Sequence, residues 1–366
     1  MTKEDVLFIL LRSALWGIPL NRQQQLDEKH FEVLKETAKK QTVKGLLYQA
    51  ITENRVQLEK YDAINLFSEQ GTLQEKSDAI NQELHDACNI LTRQGITFFI
   101  VKGQTIARLY RQPGMRESGD IDIWCPGEDN FQRARAALSD AWQQEITDDG
   151  GSELEFQHGK QYIDLQRTLV EMADRNNLDY WNKLVAAPAA IKNTIDVAGT
   201  AVPTLEPTLN LLYTFLHLYH HFIELGIGLR HLCDMAILIH ASHEQIDRDR
   251  LREMLVAMDY LTAFKAFGAI CIEKLGLPKE EFPFEITAYD RSFMPKILRL
   301  VFFRGNFGKY GHNNAVRSGM GYYIEAFMMK IRHYRMFYRL SPKEIRAAVF
   351  LSIPRKIMEA VKRRLG

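Results

Sequence analysis

The chain has 366 residues, 46% of them hydrophobic and 25% charged, with 47 Lys and Arg against 46 Asp and Glu. That usage is ordinary for a globular protein and excludes a disordered or collagen-like class, while four scattered cysteines without a CxxC pair exclude a disulfide framework or a zinc knuckle. At about 150 residues per domain the length predicts two or three domains.

The near-neutral total conceals an asymmetry. Residues 291–366 hold 17 Lys and Arg against 3 Asp and Glu, leaving 30 against 43 in the remainder, so the C-terminal segment either packs on the acidic body or contacts something anionic. The cysteines fit a reducing compartment, and the first residues lack the small-residue cleavage pattern of a secretory signal. The apolar stretch 209–229 carries His217, His220, His221 and Glu224. Together these predict a cytoplasmic protein with no transmembrane segment.

In chain order, residues 1–90 predict a helical region. Val6, Ile9, Leu10 and Ser13, then Phe31, Leu34, Ala38, Leu46 and Leu47, follow a period near 3.6. Residues 21–26 offer capping chemistry, and residues 73–93 read as one long amphipathic helix. The pattern changes at Gly95. Residues 96–101, ITFFIV, predict a short buried strand, followed by a helical segment at 104–111 and a loop broken by Pro113, Gly114 and Gly119. Residues 120–124 predict a second strand, 131–142 a helix, and 154–157 and 162–166 two more strands, which makes 91–204 a small mixed domain. Residues 205–366 predict a helical domain with a basic tail, its apolar-periodic stretches lying at 208–224, 231–240, 248–275 and 321–340. The expected class is α/β in the α+β sense: a small mixed sheet flanked by N-terminal and C-terminal helical regions.

The chemistry concentrates in residues 98–124. Alternate side chains of a strand share a face, so Asp120 and Asp122 point the same way and Ile121 and Ile123 the other. Adjacent carboxylates repel, which raises at least one pKa unless a cation lies between them, and a hard divalent ion such as Mg²⁺ prefers these oxygens. Gly103 permits a close backbone approach at a helix start, and Lys102 and Arg116 add positive charge. A metal, a glycine turn and basic side chains are the parts needed to hold a triphosphate.

That stretch, FFIVKGQTIARLYRQPGMRESGDIDIW, resembles the signature of the nucleotidyltransferase superfamily, a glycine turn after one strand and Asp-x-Asp on the next. More narrowly it resembles a bacterial family of uncharacterised nucleotidyltransferases, in which a Lys-Gly turn, here Lys102-Gly103, precedes Arg-x-x-x-Asp-x-Asp, here Arg116 to Asp122. A second block, HHFIELGIGLRHLCDMAILI at 220–239, is similar to a helical-domain motif of that family. The resemblance implies two Mg²⁺ or Mn²⁺ ions on three carboxylates, orienting a nucleoside triphosphate (NTP) for attack by an acceptor hydroxyl with pyrophosphate leaving. Asp120 and Asp122 are two of the expected metal and catalytic residues. Asp164 in QYIDLQ is the expected third, with Glu155 as runner-up. Nucleotide contacts are expected from Lys102, Gly103, Gln104, Arg116, Ser118 and Arg230, and the acceptor is left open among a small molecule, a sugar, a protein and an RNA.

The chain departs from the superfamily pattern in carrying Gly103-Gln104 for the usual Gly-Ser, in a longer gap to Asp120, and in Gln166-Arg167 where His-Trp is common. An alternative therefore stands beside the enzyme: a nucleotide-binding or scaffold protein of the same fold without turnover, linked to surface-polysaccharide assembly. His217, His220 and His221 share a helix face at metal-ligand spacing but lack an accompanying HExxH acid, so they read as packing residues, and Arg230 reads as the partner of Asp234. Residues 302–323 mix basic, aromatic and glycine residues as an anion-binding surface does. Residues 343–365 read as a basic amphipathic helix broken at Pro354, able to lie on an anionic surface.

Overall fold

Helices start where the sequence caps them. In the computed structural model, which describes residues 2–20, 28–148, 150–310 and 320–352, Thr2 and Asp5 form a capping box for α1 (Lys3–Trp16) and Gly17 ends it in the left-handed region. Then come α2 (Glu28–Lys40), α3 (Lys44–Glu53) and α4 (Lys60–Arg93). The long helix begins thirteen residues before the expected 73, because Gly71 has open space around it and makes no turn.

The central segment runs β1 (Phe99–Val101), α5 (Gly103–Ala107), β2 (Asp120–Trp124), α6 (Glu128–Trp142), β3 (Glu153–His158), β4 (Gln161–Gln166), α7 (Arg175–Leu184), α8 (Pro188–Ile191), β5 (Lys192–Val197) and β6 (Thr200–Leu205). Strand order in the main sheet is β1-β2-β4-β3, with β2 and β4 parallel and both outer pairs antiparallel. Two differences from the sequence reading stand out. The first strand pairs only over its last three residues, and β5 and β6 form an unexpected antiparallel hairpin, turned at Ala198 (φ 50°) and Gly199 (φ 84°).

The remaining elements are α9 (Pro207–Glu224), α10 (Leu229–Ser242), α11 (Arg248–Ala257), α12 (Leu261–Glu273), α13 (Ala288–Arg291), α14 (Met294–Arg304), α15 (Met320–Phe337) and α16 (Pro342–Ala347). Glu206 caps α9 by accepting from the Thr208 and Leu209 amides, with Pro207 at the first helical position. The apolar run 248–275 divides at Asp259, whose φ of 64° breaks the helix.

The sheet separates two cores. One face, Ile100, Ile121, Ile123, Ile163 and Leu165, packs on Ile80, Leu84 and Leu91 of α4 and Phe131 and Leu138 of α6. The other face sends Phe99, Val101 and Trp124 into a larger core in which the N-terminal helices join α9, α10 and α12. The fold is thus α+β, a small mixed sheet embedded in helices. All four cysteines are free and buried. Among the described residues no helix is long and apolar enough to cross a membrane. The proposed caps at 21–26, residues 311–319 of the basic-aromatic stretch and residues 353–365 of the basic tail lie outside the described residues.

Candidate active site

Parallel pairing of β2 with β4 sets Asp122 directly beside Asp164, while Asp120 lies two residues earlier on the same face as Asp122. Asp122 is 3% exposed. Its Oδ1 accepts a hydrogen bond from Gln166 Nε2 at 2.7 Å and faces Lys102 Nζ at 2.6 Å. Asp164 Oδ1 is buried with no hydrogen-bond partner among the described residues. Burial, followed by the charges of Asp122, Asp120 and Glu153, pushes the Asp164 carboxyl up to about 8. Burial also raises Asp122, to about 6, against the pull of Lys102. Desolvation works against the Lys102 ammonium, yet Asp122 and neighbouring groups carry its pKa upward.

The turn that delivers Lys102 is unusual. Lys102 has φ 55° and ψ −146°, a region costing a non-glycine residue about 1–3 kcal/mol, so the surrounding packing holds it there. Gly103 follows at φ 44°, and a Cβ on it would sit 3.3 Å from the Asp120 carbonyl. The turn therefore packs directly on the carboxylate strand.

A cleft of about 320 Å³ separates this sheet face from α9 and α10. Its helical wall presents Arg230, His217, His221 and His231. Arg230 Nη1 donates to the Glu117 carbonyl at 2.6 Å, and its buried Nε has no partner among the described residues. The rings of His217 and His221 lie 4.3 Å apart, with His231 6.3 Å from His217. Burial holds all three imidazoles neutral, lowering His221 to about 3, and the Nδ1 atoms of His221 and His231 also lack partners among the described residues. Gly228, at the start of α10, stands where a Cβ would meet the Gln41 carbonyl at 2.6 Å. Gly226-Ile227-Gly228 thus lets the histidine-bearing helices close on the N-terminal region.

The structure gathers Lys102, Gly103, Arg116, Asp120, Asp122, Asp164 and Arg230 around one cleft. It sets Gln104 and Ser118 behind the wall. There Arg116 grips Asp234 through two 2.8 Å bonds and donates to Ser118, Ser118 donates to Gln104 at 2.7 Å, and Gln104 donates to Asn81 at 2.6 Å. Tyr110 completes the network on Asp234. This corrects the expected pairing of Arg230 with Asp234: Arg116 supplies the planar fork that fits that carboxylate, and Arg230 is left to face the cleft.

Glu155 lies opposite Asp164 in register but is exposed, whereas Glu153, two residues earlier on the same face, lines the cleft. Sequence reasoning missed Glu153, Gln166 and His231. The Glu-Leu-Glu alternation of β3 marks both glutamates as sharing a face, and register alone favours Glu155, which pairs with Asp164; it is the course of the cleft along the strand that brings in Glu153.

A sequence model for a family described as uncharacterised nucleotidyltransferase matches residues 27–275. Among solved structures, an antigenic nucleotidyltransferase-like protein from Paracoccidioides brasiliensis is similar over 57% of this chain and 96% of its own, at 13% identity and a TM-score of 0.33. No match was found among curated proteins.

Proposed function

We propose, from the premise that the chain belongs to the uncharacterised nucleotidyltransferase family, that it moves a nucleoside monophosphate from an NTP to an acceptor hydroxyl and releases pyrophosphate. The observation that carries this reading is the convergence of Asp120, Asp122 and Asp164 on one sheet face inside the cleft.

The carboxylates suit a hard divalent cation. Their oxygens are the donors such an ion prefers, Asp164 Oδ1 has no hydrogen-bond partner among the described residues, and burial together with neighbouring negative charge raises Asp122 and Asp164, a burden that a cation would relieve. Asp120, Asp122 and Asp164 would hold Mg²⁺ or Mn²⁺, in one or two sites. A metal bound there supplies Lewis-acid neutralisation of the phosphates and acidifies an attacking hydroxyl.

The protein's own groups account for the rest. Gln166 fixes the Asp122 carboxylate by donating to Oδ1. Lys102 keeps that carboxylate ionised and stands ready to meet a phosphate oxygen. From the opposite wall, the Nε of Arg230 and Nδ1 of His231, without hydrogen-bond partners among the described residues, offer polar atoms to the triphosphate. The Arg116–Asp234 pair holds the loop before β2 in position.

The test is pyrophosphate release from each of the four NTPs with Mg²⁺ or Mn²⁺ and a pooled small-molecule extract as acceptor, comparing wild type with Asp122→Asn. Release that the substitution abolishes supports transfer and identifies the nucleotide. A second reading, nucleotide binding without turnover, is favoured by one observation: Lys102 Nζ lies 2.6 Å from Asp122, on the oxygen a metal would use. NTP binding with no release above the variant's level selects that reading.

A further inference from the structure

A second cavity, of about 280 Å³, adjoins the cleft and shares with it the segment just after β4, through Thr168, Val170 and Glu171, together with Leu216 and His220 of α9. Nothing in the proposed chemistry uses it. Resting on the transferase reading, we propose that this cavity seats the acceptor, and that the acceptor is a small, non-anionic compound bearing hydroxyls, of the size and character of a monosaccharide or amino sugar.

Place, size and charge argue for it. The shared wall is the continuation of the strand that carries Asp164, so a molecule seated in the second cavity reaches the carboxylates without crossing the helical wall where Arg230 and His231 stand. The volume lies just below the range for drug-sized ligand sites, about 300–1,000 Å³, and suits a monosaccharide better than a protein surface.

The electrostatics exclude a phosphorylated acceptor or an RNA end. The described residues lining the cavity include Glu171, Glu224 and Glu344 but no lysine or arginine. Lys330 balances Glu224 at 2.7 Å, Glu344 accepts from the Ala173 and Asp174 amides, and His220 lies 3.8 Å from Glu171, so the wall's carboxylates already have partners. A buried phosphate there would meet carboxylates and find no lysine or arginine among the described residues of the lining to pair with. The remaining surface suits a sugar ring. Tyr219 and Tyr260 meet edge to face at 5.4 Å and, with Leu216 and Ile223, offer apolar area to C–H groups.

The test uses the full-length wild-type protein with sugars titrated in the absence of NTP, so that binding is read without turnover. Ligand-observed NMR measures binding of methyl glucoside, glucosamine and glucosamine 6-phosphate, with ATP affinity determined in parallel. Glucosamine or methyl glucoside binding at least about tenfold more tightly than the phosphate is the expected result. Adding Leu178→Trp, which fills the cavity from α7 away from the cleft, abolishes sugar binding and leaves ATP affinity unchanged.

Glu171→Lys narrows or reverses the discrimination against the phosphate. Tighter binding of the phosphate by the unaltered wall, no binding of either uncharged or cationic probe, or loss of ATP affinity in the Leu178→Trp protein overturns the proposal; the last result would assign the cavity to the nucleoside. Sugar binding that Leu178→Trp removes supports the site even where wild type releases no pyrophosphate, in which case the transfer reading alone fails.

Discussion

The two faces of the four-stranded sheet share strands and register but have opposite energetics. On one, Ile100, Ile121, Ile123, Ile163 and Leu165 are all at most 3% exposed and pack on α4 and α6. On the other, the same β2 and β4 hold Asp120, Asp122 and Asp164 together, and burial, with the neighbouring carboxylates, raises the pKa values of Asp122 and Asp164. Single-residue alternation places a stabilising side chain beside a destabilising one all along each strand. The lesson is that the apolar face and the flanking helices fix the backbone firmly enough for the polar face to carry unfavourable, chemically useful charge.

The largest separation of the faces is expected from Asp122→Asn. Pyrophosphate release should fall about a thousandfold, equivalent to about 4 kcal/mol of barrier, while the urea midpoint moves little. Its neighbour on the opposite face should behave in the converse way. Ile123→Ala, at a fully buried position, should lower unfolding free energy by about 2–5 kcal/mol in urea titrations and leave the NTP preference of the surviving folded protein unchanged. A Asp122→Asn protein that unfolds as readily as Ile123→Ala would break the contrast.

A smaller effect follows from Asp164. Its carboxyl titrates at about 8 in the folded protein, against an ordinary 3.8. The native state therefore holds the proton over a range where the unfolded chain has lost it, and stability falls as pH rises from about 4 to about 8. Asp164→Asn should flatten that slope, leaving the metal-free variant more stable than wild type at pH 8 by about 1–3 kcal/mol and similar near pH 4. Thermal melts across that pH range read the difference.

The smallest expected effect lies away from the sheet, at His333, which is 4% exposed and packed on Phe222 and Phe337. Burial, with Arg304 nearby, lowers it to about 3. Its stability contribution is present above about 6.5 and lost as pH falls toward 3. His333→Gln should make the acid limb of the stability profile shallower, read as the urea midpoint at pH 4 and 7.

Much of the carboxylate face was legible in the sequence because strand alternation is local: Asp-Ile-Asp-Ile fixes which side chains share a face once the strand is granted. Asp164 was legible through its apolar neighbours Ile163 and Leu165. The opposite wall was legible only in part: Arg230 was expected at the nucleotide, but His217 and His221 read as packing residues and His231 was missed. Whether Arg116 or Arg230 takes Asp234 depends on how the loop before β2 meets α10, more than a hundred residues away in sequence. The β5–β6 hairpin was missed because Ala-Gly at its turn is a weaker signal than Asn-Gly or Asp-Gly, and Pro203 within β6 argued against a strand. Glu153 was overshadowed by Glu155 because strand alternation puts both on one face and only the position of the cleft distinguishes them.

The most direct test of the central claim, that this sheet face is a divalent-metal site, is Mn²⁺ binding followed by electron paramagnetic resonance in the presence of a non-hydrolysable NTP analogue. The account predicts bound Mn²⁺ in wild type, its loss in Asp122→Asn and in Asp164→Asn, and retention in Ile123→Ala protein that remains folded. Mn²⁺ that does not bind, or that binds equally well to Asp122→Asn and Asp164→Asn, would contradict it.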